Sequence, residues 1–261
     1  MLLAVDAGNT ETVVGLFELE PDRRLVDTWR LSTHADRTSD EVALLVQEFL
    51  AFHGFSFDTD IAGVVMASNV PRITSAFRDM TERYFGFAAV VLEAGVKTGM
   101  PILYDNPKEV GADRIANAVG AMEIADPPLV VVDFSGTATV MDAISAKGEY
   151  LGGVIVPGIE VGLDALVGKA ALLRSVEIVE PRSVIGRSTV ESIQSGVVHG
   201  IGAMVDGVVE RIRAEIGDAE VVATGSLSTL MAPFTRSIQQ VDPWLTLQGL
   251  CTIFEKNQPP T

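Results

Sequence analysis

Cysteine is almost missing: the 261 residues contain one, Cys251. A single thiol excludes an internal disulfide framework and fits a reducing, cytoplasmic setting. Its apolar surroundings assign Cys251 to the core. Histidine is scarce too. His34 and His53 stand beside loops with no cysteine or histidine at ligand spacing, so both are read as surface residues, and His199 lies within a long helical pattern and is read as packed. Positive charge is in deficit, with 19 Lys and Arg against 35 Asp and Glu, a net charge of −16 and a pI near 4.5. That balance argues against nucleic acid or an anionic membrane as the main partner. Any site for an anionic phosphate must then be built locally, from backbone amides, a few basic residues and cations. No apolar run approaches the roughly 20 residues of a spanning helix. The apolar start Met1–Val5 runs straight into Asp6 without a basic leader, so it reads as a strand and not as a signal peptide. With 48% hydrophobic and 21% charged residues, the composition is that of a soluble globular chain, long enough for one large or two modest domains.

Asp6-Ala7-Gly8-Asn9-Thr10 follows that first apolar run and precedes another, Val13 to Phe17. The pattern predicts strand, tight polar turn, strand. Gly8 supplies either a positive φ or room for a large group beside the backbone. A phosphate takes backbone N–H groups and small hydroxyl or amide donors, and its Mg²⁺ takes an oxygen ligand, usually a carboxylate. The turn holds all of these, although for the pentapeptide alone an ordinary hairpin with a solvated aspartate is the better account. The pattern returns from Leu129: an apolar strand, Asp133, then Gly136, Thr137 and Thr139, and a second strand. Asp6 and Asp133 stand close to half the chain apart. Two such hairpins, each opening one half, predict an internally duplicated α/β fold with a cleft between two similar halves, able to clamp a polyphosphate. A third turn, Thr224-Gly225-Ser226, is expected near the nucleoside.

Between these landmarks the chain alternates strands and helices, which predicts sheets with a parallel portion. Strands are expected at Leu25–Leu31, Ile61–Ala67, Ala88–Leu92, Tyr150–Gly158 and Ala219–Ala223, with a strand or extended link at Ser237–Val241. Thr38 and Glu41 have capping-box spacing for a helix through Phe52, ended by Gly54. Further helices are expected at Ile73–Tyr84 with Pro71 near its start, Ile115–Ile124, Leu163–Leu173 and Thr246–Lys256, before a frayed tail from Gln258. The longest helix runs to Ile216, with a capping box between Ser188 and Glu191. Its glycines Gly196, Gly200 and Gly202 permit close helix contact, within the fold or between subunits. Adjacent Gly152 and Gly153 let a backbone or ligand come near. The stretch Thr98–Arg114 is long, irregular and rich in Gly, Pro and Asn, as functional loops are. It ends in Gly111-Ala112-Asp113-Arg114, a carboxylate and a guanidinium at a helix start. Asp113 reads either as a helix N-cap or as a base that accepts a hydroxyl proton. Arg114 reads either as a surface residue or as a clamp on a substrate carboxylate. Thr189 reads first as the opening residue of its helix.

The series Asp6-Ala7-Gly8-Asn9-Thr10, Tyr104-Asp105-Asn106-Pro107, Gly111-Ala112-Asp113-Arg114, Gly152-Gly153 with Pro157-Gly158, Ile185-Gly186-Arg187 and Thr189-Val190-Glu191 resembles the type III pantothenate kinases. These are bacterial members of the acetate kinase, sugar kinase and actin superfamily, and the resemblance covers essentially the whole chain. It implies a duplicated ribonuclease H-like (actin-like ATPase) fold with halves 1–115 and 116–261, the final helix 246–256 being free to pack back on the first half. It implies a cytoplasmic homodimer that phosphorylates pantothenate on its primary hydroxyl with ATP, the first step towards coenzyme A. By motif, Asp6, Ala7, Gly8, Asn9, Thr10, Glu11, Thr12 and Val13 would hold the ATP phosphates, with Asp6 near the Mg²⁺ and Thr137 also contacting ATP. Asp113 would be the proton acceptor. Tyr104, Gly111, Ala112 and Arg114 would line the pantothenate pocket, and Thr189 would reach it from the partner subunit. Asp133 would bind a monovalent cation, K⁺ or NH₄⁺.

The chain departs from the family pattern at three points. Ser135 is an extra residue between Phe134 and Gly136, Val140 replaces a threonine, and Thr224-Gly225-Ser226 replaces a double glycine. An extra residue is either absorbed as a bulge or moves Thr137 and Thr139 relative to Asp133. The second alternative keeps open a non-catalytic, nucleotide-binding regulator or scaffold of the same fold. A kinase for another small hydroxy acid is the remaining reading.

Overall fold

Leu2, Leu3, Ala4 and Val5 are all buried, as expected of a continuous apolar run in the middle of a sheet covered on both faces. In the computed structural model, which describes residues 1–169 and 176–258, they form strand β1 (Leu2–Ala7). β1 pairs antiparallel with β2 (Glu11–Glu18), and β2 pairs antiparallel with β3 (Arg24–Ser32). Helix α1 (Ser39–Ala51) leads to β4 (Gly63–Ser68), which lies parallel to β1. Helix α2 (Pro71–Met80) continues through a π turn and leads to the short β5 (Val90–Val91), parallel to β4. The sheet order is β3-β2-β1-β4-β5. Both bonds of the Thr38–Glu41 capping box are present at the start of α1.

Helix α3 (Ala112–Ile124) carries the chain to a second sheet. Its strands are β6 (Leu129–Asp133), β7 (Ala138–Ile144) and β8 (Tyr150–Pro157). Helices α4 (Ile159–Lys169) and α5 (Thr189–Ile216) follow. Then come β9 (Glu220–Thr224), the single turn α6 (Ser228–Met231), β10 (Gln240–Val241) and α7 (Leu245–Lys256). The order, β10-β9-β6-β7-β8, is that of the first sheet read from the other edge, with the same parallel and antiparallel pairings. The fold is therefore a duplicated α/β architecture of the actin-like ATPase kind. The chain divides into two compact units: Met1–Gly99, Asn106–Gly120 and Thr246–Thr261 form unit 1, and Met100–Asp105 and Ala121–Leu245 form unit 2. Each unit has its own core, around Val5, Leu16, Leu50 and Phe77 in unit 1 and around Val132, Met141, Val205 and Met231 in unit 2.

Several elements differ from the sequence expectation. α3 begins at Ala112, three residues before the expected Ile115, so Asp113 and Arg114 are helical. α4 begins at Ile159, ahead of the expected Leu163, since β8 ends at Pro157 and only Gly158 separates the two elements; its expected end at Leu173 lies outside the described residues, as do Pro259, Pro260 and Thr261 of the tail. The loop before Asp113 is not structureless: Ile102 bridges to Tyr150, and Pro107–Glu109 form a 3₁₀ turn. Of the α5 glycines, only Gly202 makes the expected close approach, where an added Cβ would meet the Phe234 carbonyl oxygen at 2.2 Å. Gly196 and Gly200 face open space. The Ser188–Glu191 capping box is half made. Ser188 Oγ accepts from the Glu191 N–H at 3.2 Å, but the Glu191 carboxylate takes the Arg187 N–H, at 2.8 Å, instead of that of Ser188.

Candidate active site

The first hairpin lies at the carboxyl end of β1, beside the carboxyl end of its parallel neighbour β4. This is where open α/β sheets place their ligands. Asp6 is paired with Val13 on one side and Ala67 on the other. Gly8 donates its N–H to the Glu11 carbonyl at 3.0 Å. Its φ lies outside the left-handed region, and an added Cβ would come within 3.2 Å of the Glu11 oxygen, so close approach is the role the structure gives it. Asn9 and Thr10 are exposed at the tip, and Val13 is half-buried. Glu11 is paired with Arg30. Thr12 is buried, with its hydroxyl 2.8 Å from that of Thr33, and the Thr33 N–H donates to the Thr10 carbonyl at 2.8 Å. The outer residues thus anchor the turn to β3, and the side chains left facing out at its tip are an amide and a hydroxyl.

Asp113 is the second residue of α3, which removes the N-cap reading. Its Oδ1 accepts the N–H of Arg114 at 3.0 Å, and its Oδ2 accepts from the Asn69 side-chain amide at 3.2 Å. A Cβ on Gly111 would lie 2.3 Å from Asp113 Oδ1, so a larger residue there would displace the carboxylate. Ala112 is buried at the helix start. Arg114 is only 8% exposed and is engaged in polar contacts, so it is not a solvated surface residue. Unit 1 therefore brings Asp113, through Asn69, to the strand end next to the Asp6 hairpin. Sequence reasoning passed over Asn69. The available signal was its position in the loop leaving a strand parallel to β1.

In unit 2 the second hairpin repeats the register of the first. Asp6 pairs with Val13 and Asp133 with Val140, so each aspartate is joined to the seventh residue after it. The extra Ser135 is absorbed in the turn, and the β6–β7 ladder shows no bulge. Ser135 turns back on Asp133: its N–H donates to Asp133 Oδ1 at 2.9 Å, and its hydroxyl bonds the same oxygen. Thr137 is exposed at the tip, whereas Thr139 is buried. The Thr224-Gly225 turn packs against this tip. Gly225 has φ +93°, and a Cβ on it would lie 2.6 Å from Asp133 Oδ1. Thr224 is the register partner of Asp133, so the two side chains share a face of the sheet. The Thr224 hydroxyl is buried, with no hydrogen-bond partner among the described residues. An orphan of this kind costs about 1–3 kcal/mol unless something bonds it.

The remaining candidates belong to unit 2. The Tyr104 ring is tilted at 53° to that of Tyr150, with centroids 6.4 Å apart, and lies over Gly152, where a Cβ would come within 3.1 Å. Thr189 is exposed at the first position of α5. It borders an apolar groove of about 460 Å³ between α4 and α5, lined by Leu163, Leu166, Ile193 and Val197.

A sequence model of the family described as type III pantothenate kinase matches residues 2–211. The chain belongs to the type III pantothenate kinase family. Two type III pantothenate kinases show the extent of the match. The Myxococcus xanthus protein is 51% identical, the match covering 98% of this chain and 99% of that one. The Streptomyces griseus protein is 49% identical over 98% of each. Solved structures share the fold at much lower identity. The activator of 2-hydroxyisocaproyl-CoA dehydratase from Clostridium difficile, with bound ADPNP, superimposes with a TM-score of 0.58 at 13% identity, over 98% of this chain and 95% of that one. A Campylobacter jejuni protein described as a Baf family transcriptional activator gives 0.60 at 20%, over 98% of each chain.

The donor sets of this family member suit the cations that the resemblance implies. Among the described residues no three His, Cys, Asp or Glu side chains converge on a metal position. Mg²⁺ that travels with a nucleotide is commonly held by one or two carboxylates together with phosphate oxygens. Asp6, near the end of β1, would be such a carboxylate. In unit 2 the Asp133 carboxylate and the orphaned Thr224 hydroxyl form an oxygen set on one face, which fits a hard monovalent cation.

Proposed function

We propose that this chain transfers the γ-phosphoryl group of ATP to the primary hydroxyl of pantothenate, giving 4′-phosphopantothenate, with Asp113 as the general base. The observation that carries the reading is the fixed Asp113 carboxylate. Both of its oxygens are held, by the Arg114 N–H and the Asn69 amide, at the strand end that also carries the Asp6 turn. Phosphoryl transfer demands in-line positioning and charge neutralisation more than covalent chemistry. Asp113 takes the hydroxyl proton as the oxygen bonds to phosphorus, and the bond to the β-phosphate oxygen breaks to release ADP.

The Asp6–Val13 turn holds the phosphates through its backbone and through Asn9 and Thr10, and Thr137 contributes a further contact to ATP. Arg114 and Tyr104, with Gly111 and Ala112, receive the rest of pantothenate. Asp6 holds the Mg²⁺ that neutralises phosphate charge. Asp133, with Thr224, holds a monovalent cation that supplies positive charge to an acidic chain. The location is the cytoplasm, and among the described residues no helix is long and apolar enough to cross a membrane.

The working form is a homodimer in which Thr189 reaches the partner's substrate. The apolar groove beside Thr189, with Leu166 48% exposed, supports a second copy as its cover. Sedimentation is expected to give twice the 27.8 kDa chain mass; a monomer at assay concentration would overturn this part. The kinase reading is tested with a panel of small hydroxy acids. Pantothenate is expected to be phosphorylated far better than the others, and Asp113→Asn to lower kcat by about 10²–10⁴-fold.

A further inference from the structure

We propose that Asn69 is a positioning residue that sets the Asp113 carboxylate for proton transfer; this rests on the reading of Asp113 as the base. Asn69 leaves β4 in a loop whose backbone is tied down on both sides. Its own N–H donates to the carbonyl of Ala7, the last residue of β1, at 3.2 Å. Before it, Ser68 Oγ accepts the Val70 N–H at 3.1 Å and donates to the Val70 carbonyl at 3.2 Å. After it, Pro71 opens α2, and its ring fixes φ. The amide of Asn69 therefore projects from a rigid base beside the phosphate hairpin.

The polarity of the contact follows from its chemistry. An ionised carboxylate only accepts, so the Asn69 atom facing Asp113 Oδ2 is Nδ2. The other carboxylate oxygen is held by the N–H of Arg114 within α3. One oxygen is thus held by the residue's own helix and the other by an independent element, the β4 loop, which restrains rotation about the carboxylate bonds. Asp113 is half-exposed and Asn69 exposed, so packing does not do this work. Misplacing a catalytic group by about 1 Å costs up to about 10²-fold in rate. An aspartate at position 69 would set a like charge against Asp113.

The test is steady-state and single-turnover kinetics on the full chain, with Asn69→Ala, Asn69→Asp, Asp113→Asn and the Asn69→Ala/Asp113→Asn double variant. Expected for Asn69→Ala is a fall in kcat of about tenfold, within the range that misplacement allows, with KM for ATP and for pantothenate unchanged. Asn69→Asp is expected to lose more. The double variant should turn over no more slowly than Asp113→Asn alone, because there is then no base left to position. Both Asn69 variants should keep the wild-type melting temperature, since the side chain is exposed. Wild-type kcat in Asn69→Ala, a loss confined to KM, or the same fold-loss in both backgrounds would overturn the role of Asn69 while leaving Asp113 as the base. Wild-type kcat in Asp113→Asn would instead overturn the base, and the positioning role with it.

Discussion

At the scale of single residues, side-chain chemistry could be read from sequence where a motif fixed it, and position could not. Asp6, Asp113 and Asp133 were singled out by their neighbours in the chain. Asn69 and the orphaned Thr224 hydroxyl were not, because what marks them is a partner from a distant segment in the first case and the lack of any in the second. Ser135 shows the same limit: its insertion was visible, but its use as a second donor to Asp133 depends on how the turn folds back. His53 was correctly placed at the surface, and the structure adds that its Nε2 lies 2.6 Å from Asp27 Oδ2. The hydrogen bond from His53, and then the N–H of Thr28, hold the Asp27 carboxyl below its ordinary value of 3.8. A carboxyl depressed in the folded state stabilises the fold above its unfolded value and loses that effect as pH falls through its folded value. Asp27→Asn is therefore expected to lower stability at neutral pH and to converge with wild type in melts below the ordinary carboxylate range. The side chain is 41% exposed, so the difference is that of a surface pair, about 0.2–1 kcal/mol. A difference that persists undiminished in strong acid would contradict this account of Asp27.

At the scale of elements, apolar periodicity and capping signals located the strands and helices, and their ends were the weak point. α3 starts three residues early, at Ala112, and the Gly111 that precedes it sits close against the Asp113 side chain, an approach that no periodicity encodes. The same applies to α7, whose seat is set by Gly249. A Cβ there would lie 1.9 Å from the Ala116 carbonyl oxygen of α3, and backbone cannot rotate away as a side chain can. Gly249→Ala is expected to push α7 off α3 and to cost about 1–3 kcal/mol, as overpacking does. A thermal melt measures it. An unchanged melting temperature would show that the two helices are not held at this contact. In unit 1 the crossing is also fastened by the Thr246 hydroxyl on Asn117 Oδ1, at 2.6 Å, so the loss should appear as one cooperative shift.

At the scale of the whole molecule, the duplication was legible from two similar hairpins, and the structure shows how far it extends. The two sheets share one strand order and one set of pairings, and each opens on an aspartate in the same register. The grouping of Thr246–Thr261 with unit 1 agrees with a final helix free to pack back on the first half, whereas the grouping of Met100–Asp105 with unit 2 was not legible. Exchanges of this kind are made by contacts between distant segments and leave no mark in local composition. Family membership follows from relatives that match nearly the full length of the chain, and the fold carries the catalytic reading only through Asp113. The most direct measurement is ATP-dependent formation of phosphopantothenate by wild type and Asp113→Asn, each with and without K⁺. The account predicts product from wild type that depends on the cation and a collapse of turnover in Asp113→Asn. Absence of phosphopantothenate from wild type under either condition would contradict it.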